Sequence, residues 1–382
     1  GQRDMQNRDK LIQDISQEEF PFRFEDWEQK AKETMEEGAF AYVYHGAGSE
    51  ETYYRNQSAF KKWALIPRML RDVSQINMSV HLFGKKYTTP FLLAPIGMQK
   101  LANDEGELAT AKAAESLDIP FIVRAVSSYS METIANMAPK GPKWFQLYWS
   151  SHNPELSFSM VERAEKAGYE AIVLTVDTVM AGWRIGDMKS KFSPLSLGYG
   201  KGNYMEDPIF LDNLKNHEEE TILESILDNI QHPGLTWDAI AQLKKRTKLP
   251  ILIKGILHPE DAKLALEYSV DGLIVSNHGG RQLDGVIASI DALPEVIKAV
   301  GGKIPVLFDS GVRQGVDAVK ALALGAKAVL IGRPYYYGLA VHGEKGVRNV
   351  MERLIQETEV TLALSGISQL SDVSNIAIKK DL

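Results

Sequence analysis

Short apolar runs rich in β-branched and aromatic residues recur along the chain at intervals of about one helix. They are FLLAPIG (91–97), PFIVRAVS (120–127), KWFQLYW (143–149), AIVLTVD (171–177), PILIKGI (250–256), GLIVSNH (272–278), PVLFDSG (305–311) and AVLIGRP (328–334). Segments between them, such as EGELATAKAAESL, NPELSFSMVERAEKAG, HPEDAKLALEYS and QGVDAVKALALG, show amphipathic helical spacing. Asn153-Pro154, Thr236 and Pro259-Glu260-Asp261 mark helix starts. Buried strands alternating with such helices predict a parallel sheet covered by helices. Eight units over about 245 residues match a (β/α)8 TIM barrel in count and length. An open doubly wound sheet could also use eight units, but no G-x-G-x-x-G follows the first strand.

One spacing breaks the pattern. Strands four and five are separated by residues 178–249, which hold SPLSLGYGKGNYMEDP and then the charged NHEEETILESILDNIQHPG. A long loop after a barrel strand lies on the catalytic face, so a lid-like insertion is expected at about 186–235. A surface excursion or an oligomer contact is the alternative. Ahead of the barrel (about 91–366), FEDWEQKAKETM predicts an N-terminal helical extension and SVHLFGKKYTT a hairpin. Both are expected to pack on the barrel, giving a single domain over 1–382.

Composition narrows the class. The 382 residues are 44% hydrophobic and 24% charged, ordinary values for a globular domain. A net charge of −7 argues against nucleic acid or anionic membrane as partner. The absence of cysteine excludes disulfides, thiolate metal sites and thiol nucleophiles. The first thirty residues are too charged for a signal peptide and no apolar run approaches a membrane span, so a cytoplasmic protein is expected. The terminal KKDL resembles an ER-retention tail, but without an entry signal it reads as a solvated end.

Barrel enzymes carry their chemistry at the C-terminal ends of the strands, and period-2 alternation groups the side chains there. Gln146 and Tyr148 share a face, as do Thr175 and Asp177, and Ser276 and His278. Lys254 stands in strand five and Asp309 ends strand seven; Arg184 follows Asp177, and Arg281 follows His278 within SNHGGRQLD (276–284). Each alone has a structural explanation: a satisfied histidine, an ordinary ion pair, a snorkelling lysine. Together they converge on one mouth, where buried unpaired polar groups would cost about 1–3 kcal/mol each, so a site is the better reading. DSGVR (309–313) and IGRP (331–334) place glycine backbone, Arg313 and Arg333 where barrels commonly bind phosphate. With Lys254 close by, a flavin nucleotide or a phosphorylated substrate would fit.

SNHGGRQLD, LTVDT with GWR, WFQLYW, PILIKGI and the DSGVR/IGRP pair resemble the FMN-dependent L-2-hydroxy acid oxidising enzymes from about Phe24 to Leu370. IPRML, GWR, NYMEDPIF and GRPYYYG resemble the lactate 2-monooxygenase branch. The resemblance implies FMN as cofactor, a small L-2-hydroxy acid such as lactate and O2 as partners, and a homotetramer. It casts His278 as the base, Asp177 as its support, Arg184 and Arg281 as the carboxylate clamp, and Tyr42 and Tyr148 as further substrate contacts. Gly279-Gly280 would leave room for substrate and ring. Pro95, Ile96, Gly97, Arg124, Gln146, Thr175, Lys254 and Ser276 would border the flavin ring. Asp309 and Ser310 would take the ribityl side, and Gly311, Arg313, Gly332 and Arg333 the phosphate.

The chain departs from the family pattern at two places. Gly97 stands where oxidase members usually have alanine; the missing methyl would open a space near the ring and favour keeping the keto acid bound. The expected reaction is therefore the monooxygenase route to acetate, CO2 and water, with an oxidase giving keto acid and hydrogen peroxide as the alternative. A quinone-linked dehydrogenase and a flavin-binding scaffold are further alternatives. Arg124 stands where a serine is usual, and Val126 follows where relatives carry a larger side chain.

Overall fold

The computed structural model describes residues 2–4, 20–150, 152–190 and 192–381. Most of the first nineteen residues and the final leucine of KKDL thus lie outside it. Eight parallel strands close into a barrel: β1 (Phe91–Leu93), β2 (Phe121–Arg124), β3 (Lys143–Leu147), β4 (Ile172–Thr175), β5 (Ile251–Ile256), β6 (Gly272–Val275), β7 (Val306–Phe308) and β8 (Ala328–Ile331). β8 pairs with β1 through Val329 and Phe91, and β4 with β5 through Ile172 and Ile251, so no barrel edge is left open. β1, β3, β4, β6, β7 and β8 are buried at every residue, which is why they read as continuous apolar runs.

A helix follows each strand: α1 (Glu107–Leu117), α2 (Met131–Met137), α3 (Pro154–Lys166), α4 (Trp237–Arg246), α5 (Pro259–Glu267), α6 (Ser289–Val300), α7 (Gly315–Ala323) and α8 (Arg333–Leu364). α3, α4 and α5 begin at the residues marked by Asn153-Pro154, Thr236 and Pro259. Proline is suited to a first turn because its missing N–H is not needed there. Neither Asn153 nor Thr236 caps with its side chain, whereas His258 does so for α5. α8 is two helical stretches, broken at His342 and Gly343.

The N-terminal extension contains helices Phe24–Thr34, Glu37–Tyr44 and Glu51–Ser58 and the hairpin of Val80–Leu82 with Lys85–Tyr87. Trp63–Ile66 pairs antiparallel with Ala377–Lys380, tying the extension to the C-terminal strand. Between β4 and α4 the insertion forms helices Ile185–Ser190, Pro208–Asp212 and Glu219–Ile230. Among the described residues no helix is long and apolar enough to cross a membrane.

Candidate active site

The loop after β6 carries a strained residue of the mouth. His278 has φ 60°, in the left-handed region that a side chain normally avoids. Local bonds hold it there: its N–H donates to Ser276 Oγ at 3.0 Å, and the next N–H, of Gly279, donates to Ser310 Oγ at 3.1 Å. Beneath the loop, Asn56 and Asn277 exchange amide hydrogen bonds of 2.8 and 2.6 Å. Asp284 accepts the backbone N–H of Thr52 at 2.9 Å and of Ser49 at 3.1 Å. Helix Glu51–Ser58 therefore clamps both ends of SNHGGRQLD. A Cβ on Gly280 (φ 76°) would lie 2.7 Å from the backbone of Tyr53. One on Gly279 would lie 2.9 Å from Arg333 Nη1. This corrects the expectation that the two glycines make room for substrate and ring; their missing side chains admit the extension and an arginine.

His278 Nδ1 lies 3.3 Å from Asp177 Oδ1, but the two are too poorly aligned for a hydrogen bond. Burial pulls the His278 imidazole down to about 3, opposed by Asp177, so the ring is neutral. Burial acts against ionisation of Asp177 as well; His278 and then Lys254 outweigh it and hold the carboxyl below its usual range. The result is a neutral imidazole, the form able to accept a proton, beside a buried carboxylate that opposes the burial penalty on its charged form.

Two cavities meet at this mouth. The inner one, about 820 Å³, is bordered by Tyr42, Lys254, His278 and Arg281. The loop after β1 contributes Pro95, Ile96 and Gly97, and the loops after β7 and β8 contribute Asp309, Ser310, Gly311, Arg313, Gly332 and Arg333. The outer one, about 800 Å³, is bordered by Tyr42, Tyr148 and Arg184 together with Phe192, Leu195 and Leu227 of the insertion. Arg124 borders both. Gln146, Thr175 and Ser276 lie behind the inner wall rather than on it. Gln146 is engaged with backbone, accepting from Ala125 N at 3.0 Å and donating to Leu147 O at 3.2 Å.

Arg281 donates to the carbonyls of Tyr42 and, at 2.8 Å, His45, and lies over the Tyr42 ring at 4.8 Å. Burial and then neighbouring Arg184 push its guanidinium down from the usual value, so an anion beside it would be favourable. Arg184 donates to Arg281 O at 3.0 Å and to Gln282 Oε1 at 2.6 Å. Gln282 in turn donates to the carbonyls of Asp177 (3.0 Å) and Met180 (2.9 Å). It is the latch between the two loops. Its sequence position beside Arg281 gave no sign of that role.

The site fits a flavin nucleotide at its phosphate end. Arg313 Nε and Arg333 Nη2 are buried without a hydrogen-bond partner among the described residues. The two guanidiniums lie over Phe24 at 4.4 Å and Tyr53 at 4.7 Å. Burial lowers Arg313, so a buried anion between the two would satisfy both. At the other end Lys254 Nζ lies 3.5 Å from Asp309 Oδ2 and 3.4 Å from Ser276 Oγ.

Gly97 does not open a space. A Cβ there would lie 2.8 Å from Val126 Cγ2 and 3.1 Å from Arg124 Cδ, so these two side chains already fill the volume of the absent methyl. The expected gap beside the ring is corrected to a packed contact.

The sequence profile described as FMN-dependent dehydrogenase matches residues 31–380. An L-lactate oxidase of Lysinibacillus sphaericus is 53% identical over 374 residues, covering 98% of this chain and 97% of that protein. A 2-hydroxyacid oxidase 1 of Mus musculus is 40% identical, covering 93% of this chain and 96% of its own. Among solved structures, a mandelate oxidase superposes with TM-score 0.86 at 35% identity, covering 95% of this chain and 100% of that one.

Proposed function

The chain belongs to the FMN-dependent dehydrogenase family, whose members oxidise 2-hydroxy acids, and from that premise we propose that it oxidises L-lactate or a similarly small L-2-hydroxy acid with O2 as acceptor. The observation that carries this reading is the neutral His278, 3.3 Å from Asp177, on a cavity wall shared with Arg281. When bound, FMN supplies the two-electron acceptor that the side chains lack.

With Nδ1 turned to Asp177, His278 has Nε2 free to take the proton of the C2 hydroxyl, and Asp177 balances the imidazolium that forms. Arg281 and Arg184 receive the carboxylate from the inner and outer cavities, with the Tyr42 hydroxyl beside them. Tyr148 donates to the C2 oxygen. Arg313, Arg333 and the backbone of Gly311 and Gly332 hold the phosphate, and Asp309 and Ser310 the chain that leads from it. Pro95, Ile96, Gly97 and Lys254 border the ring, supported from behind by Gln146, Thr175 and Ser276.

For the fate of the product we adopt separate release of keto acid and hydrogen peroxide. The space on which product retention was expected is occupied by Val126 and Arg124, and an L-lactate oxidase shares 53% identity. A product balance in air tests this: pyruvate and peroxide should each match the O2 consumed. Acetate matching O2, with little peroxide, would establish the monooxygenase route instead.

A further inference from the structure

We propose that Arg124 is a positioning residue that fixes Tyr148 as a hydrogen-bond donor toward the substrate; the inference rests on the placing of Tyr148 beside the C2 oxygen. Arg124 ends β2, and its guanidinium sits where the inner and outer cavities meet. Among the described residues no carboxylate lies within ion-pairing distance of it. A structural arginine in a barrel mouth would be expected to have one. Its bonds go instead to one atom: Nε and Nη2 donate to Tyr148 Oη at 3.1 and 2.6 Å.

The hydrogen-bonding capacity of that oxygen is limited. A phenol has one hydrogen to donate and two acceptor positions, and a guanidinium can only donate. With both acceptor positions filled by Arg124, the Tyr148 hydrogen is directed away from Arg124, and Tyr148 cannot accept from a substrate hydroxyl. A phenol free to accept would compete with His278 for the proton of that hydroxyl and allow a pose in which it points away from the base. Arg124 removes that pose, leaving His278 as the acceptor.

Gly97 and Val126 belong to the same device. A Cβ at 97 would press on Arg124 Cδ (3.1 Å) and Val126 Cγ2 (2.8 Å), so glycine is the residue that lets the arginine stem lie along the loop after β1. Gly97, Arg124 and Val126 are thus one packed unit.

A double-mutant cycle on the FMN-loaded enzyme tests the proposal, with L-lactate as substrate and loading checked by flavin absorbance. Arg124→Met and Tyr148→Phe are each expected to lower kcat/KM by about tenfold or more, chiefly in kcat. Arg124→Met added to Tyr148→Phe is expected to change kcat/KM by less than about twofold, because the arginine then has no phenol to orient. Arg124→Lys, whose ammonium can still donate to Oη, is expected to recover part of the loss. If Arg124→Met costs as much with Phe at 148 as with Tyr, Arg124 acts directly on substrate or cofactor and the proposal fails. If Tyr148→Phe alone costs nothing, the placing of Tyr148 fails, and the inference with it. Should the methionine variant not retain FMN, the lysine variant run through the same cycle decides between the same outcomes.

Discussion

Replacing His278 by alanine removes the group proposed to take the substrate proton while leaving the arginines of the phosphate end in place. We expect kcat/KM to fall by about 10²–10⁴ or more with FMN absorbance retained; near-normal turnover would remove His278 from the base role. Because burial lowers this imidazole, its neutral form persists as pH falls, and any acid limb of kcat/KM belonging to it should lie below the ordinary value of 6.5. Stability responds to the same shift. Between 6.5 and the lowered value the unfolded chain binds a proton that the folded chain does not, so stability is lost as pH falls through that window. Gly97→Ala should be an overpacking change of about 1–3 kcal/mol, visible as a lower Tm, and Val126→Ala in the same chain should relieve much of it. Additive losses would show that the contact is not limiting. His278, Asp177 and Arg281 were legible in the sequence because strand alternation and the barrel rule locate them. The crowding at Gly97 was not legible, since it depends on where Val126 and Arg124 point across to a neighbouring loop.

Among the elements, the N-terminal helix Glu51–Ser58 holds the loop after β6 rather than decorating the barrel. Asn56→Ala would remove two hydrogen bonds of the buried Asn277 amide, leaving those to Ile287 O and from Gly280 N, at a cost of about 0.5–1.5 kcal/mol for each bond lost. We expect both Tm and kcat to drop; a change in Tm alone would separate the clamp from catalysis. FEDWEQKAKETM announced a helix in this region, but Glu51–Ser58 was not legible, and its partners lie more than two hundred positions away. The first two strand-end loops are joined differently. Glu107, at the start of α1, is buried and accepts the backbone N–H groups of Gln99 at 3.2 Å and Ser128 at 2.6 Å. Burial raises its carboxyl to about 7, above the 4.5 of an unfolded glutamate. A raised carboxyl favours folding most when protonated, so its contribution falls as pH rises from 4.5 through about 7, by on the order of 3 kcal/mol in all. The Tm of Glu107→Gln relative to the unaltered chain should climb from pH 5 to pH 8; a flat difference would mean that Glu107 ionises freely.

For the molecule as a whole, cofactor and fold are linked. The buried arginine atoms at the phosphate end are satisfied only by an anion, so removing FMN should lower Tm by an amount that grows with its affinity. Inorganic phosphate added to the stripped protein should recover part of that loss, and Arg313→Ala should abolish the recovery. Equal recovery in the variant would place the anion elsewhere. The barrel was legible in full because eight apolar runs alternate with helices at a regular interval. The two-part cavity was not, since it is made by the insertion folding over the ends of strands distant in sequence.

The clamp between Asn56 and Asn277 also sets an order of events during synthesis. The two residues are 221 positions apart, so at about 5–20 residues per second the ribosome needs roughly 10–45 s to bring the second into existence after the first. Throughout that interval the early helices have no loop to grip. The loop after the sixth strand thus meets a partner made long before it, and the cavity is completed only later, when the seventh and eighth strands supply its phosphate end.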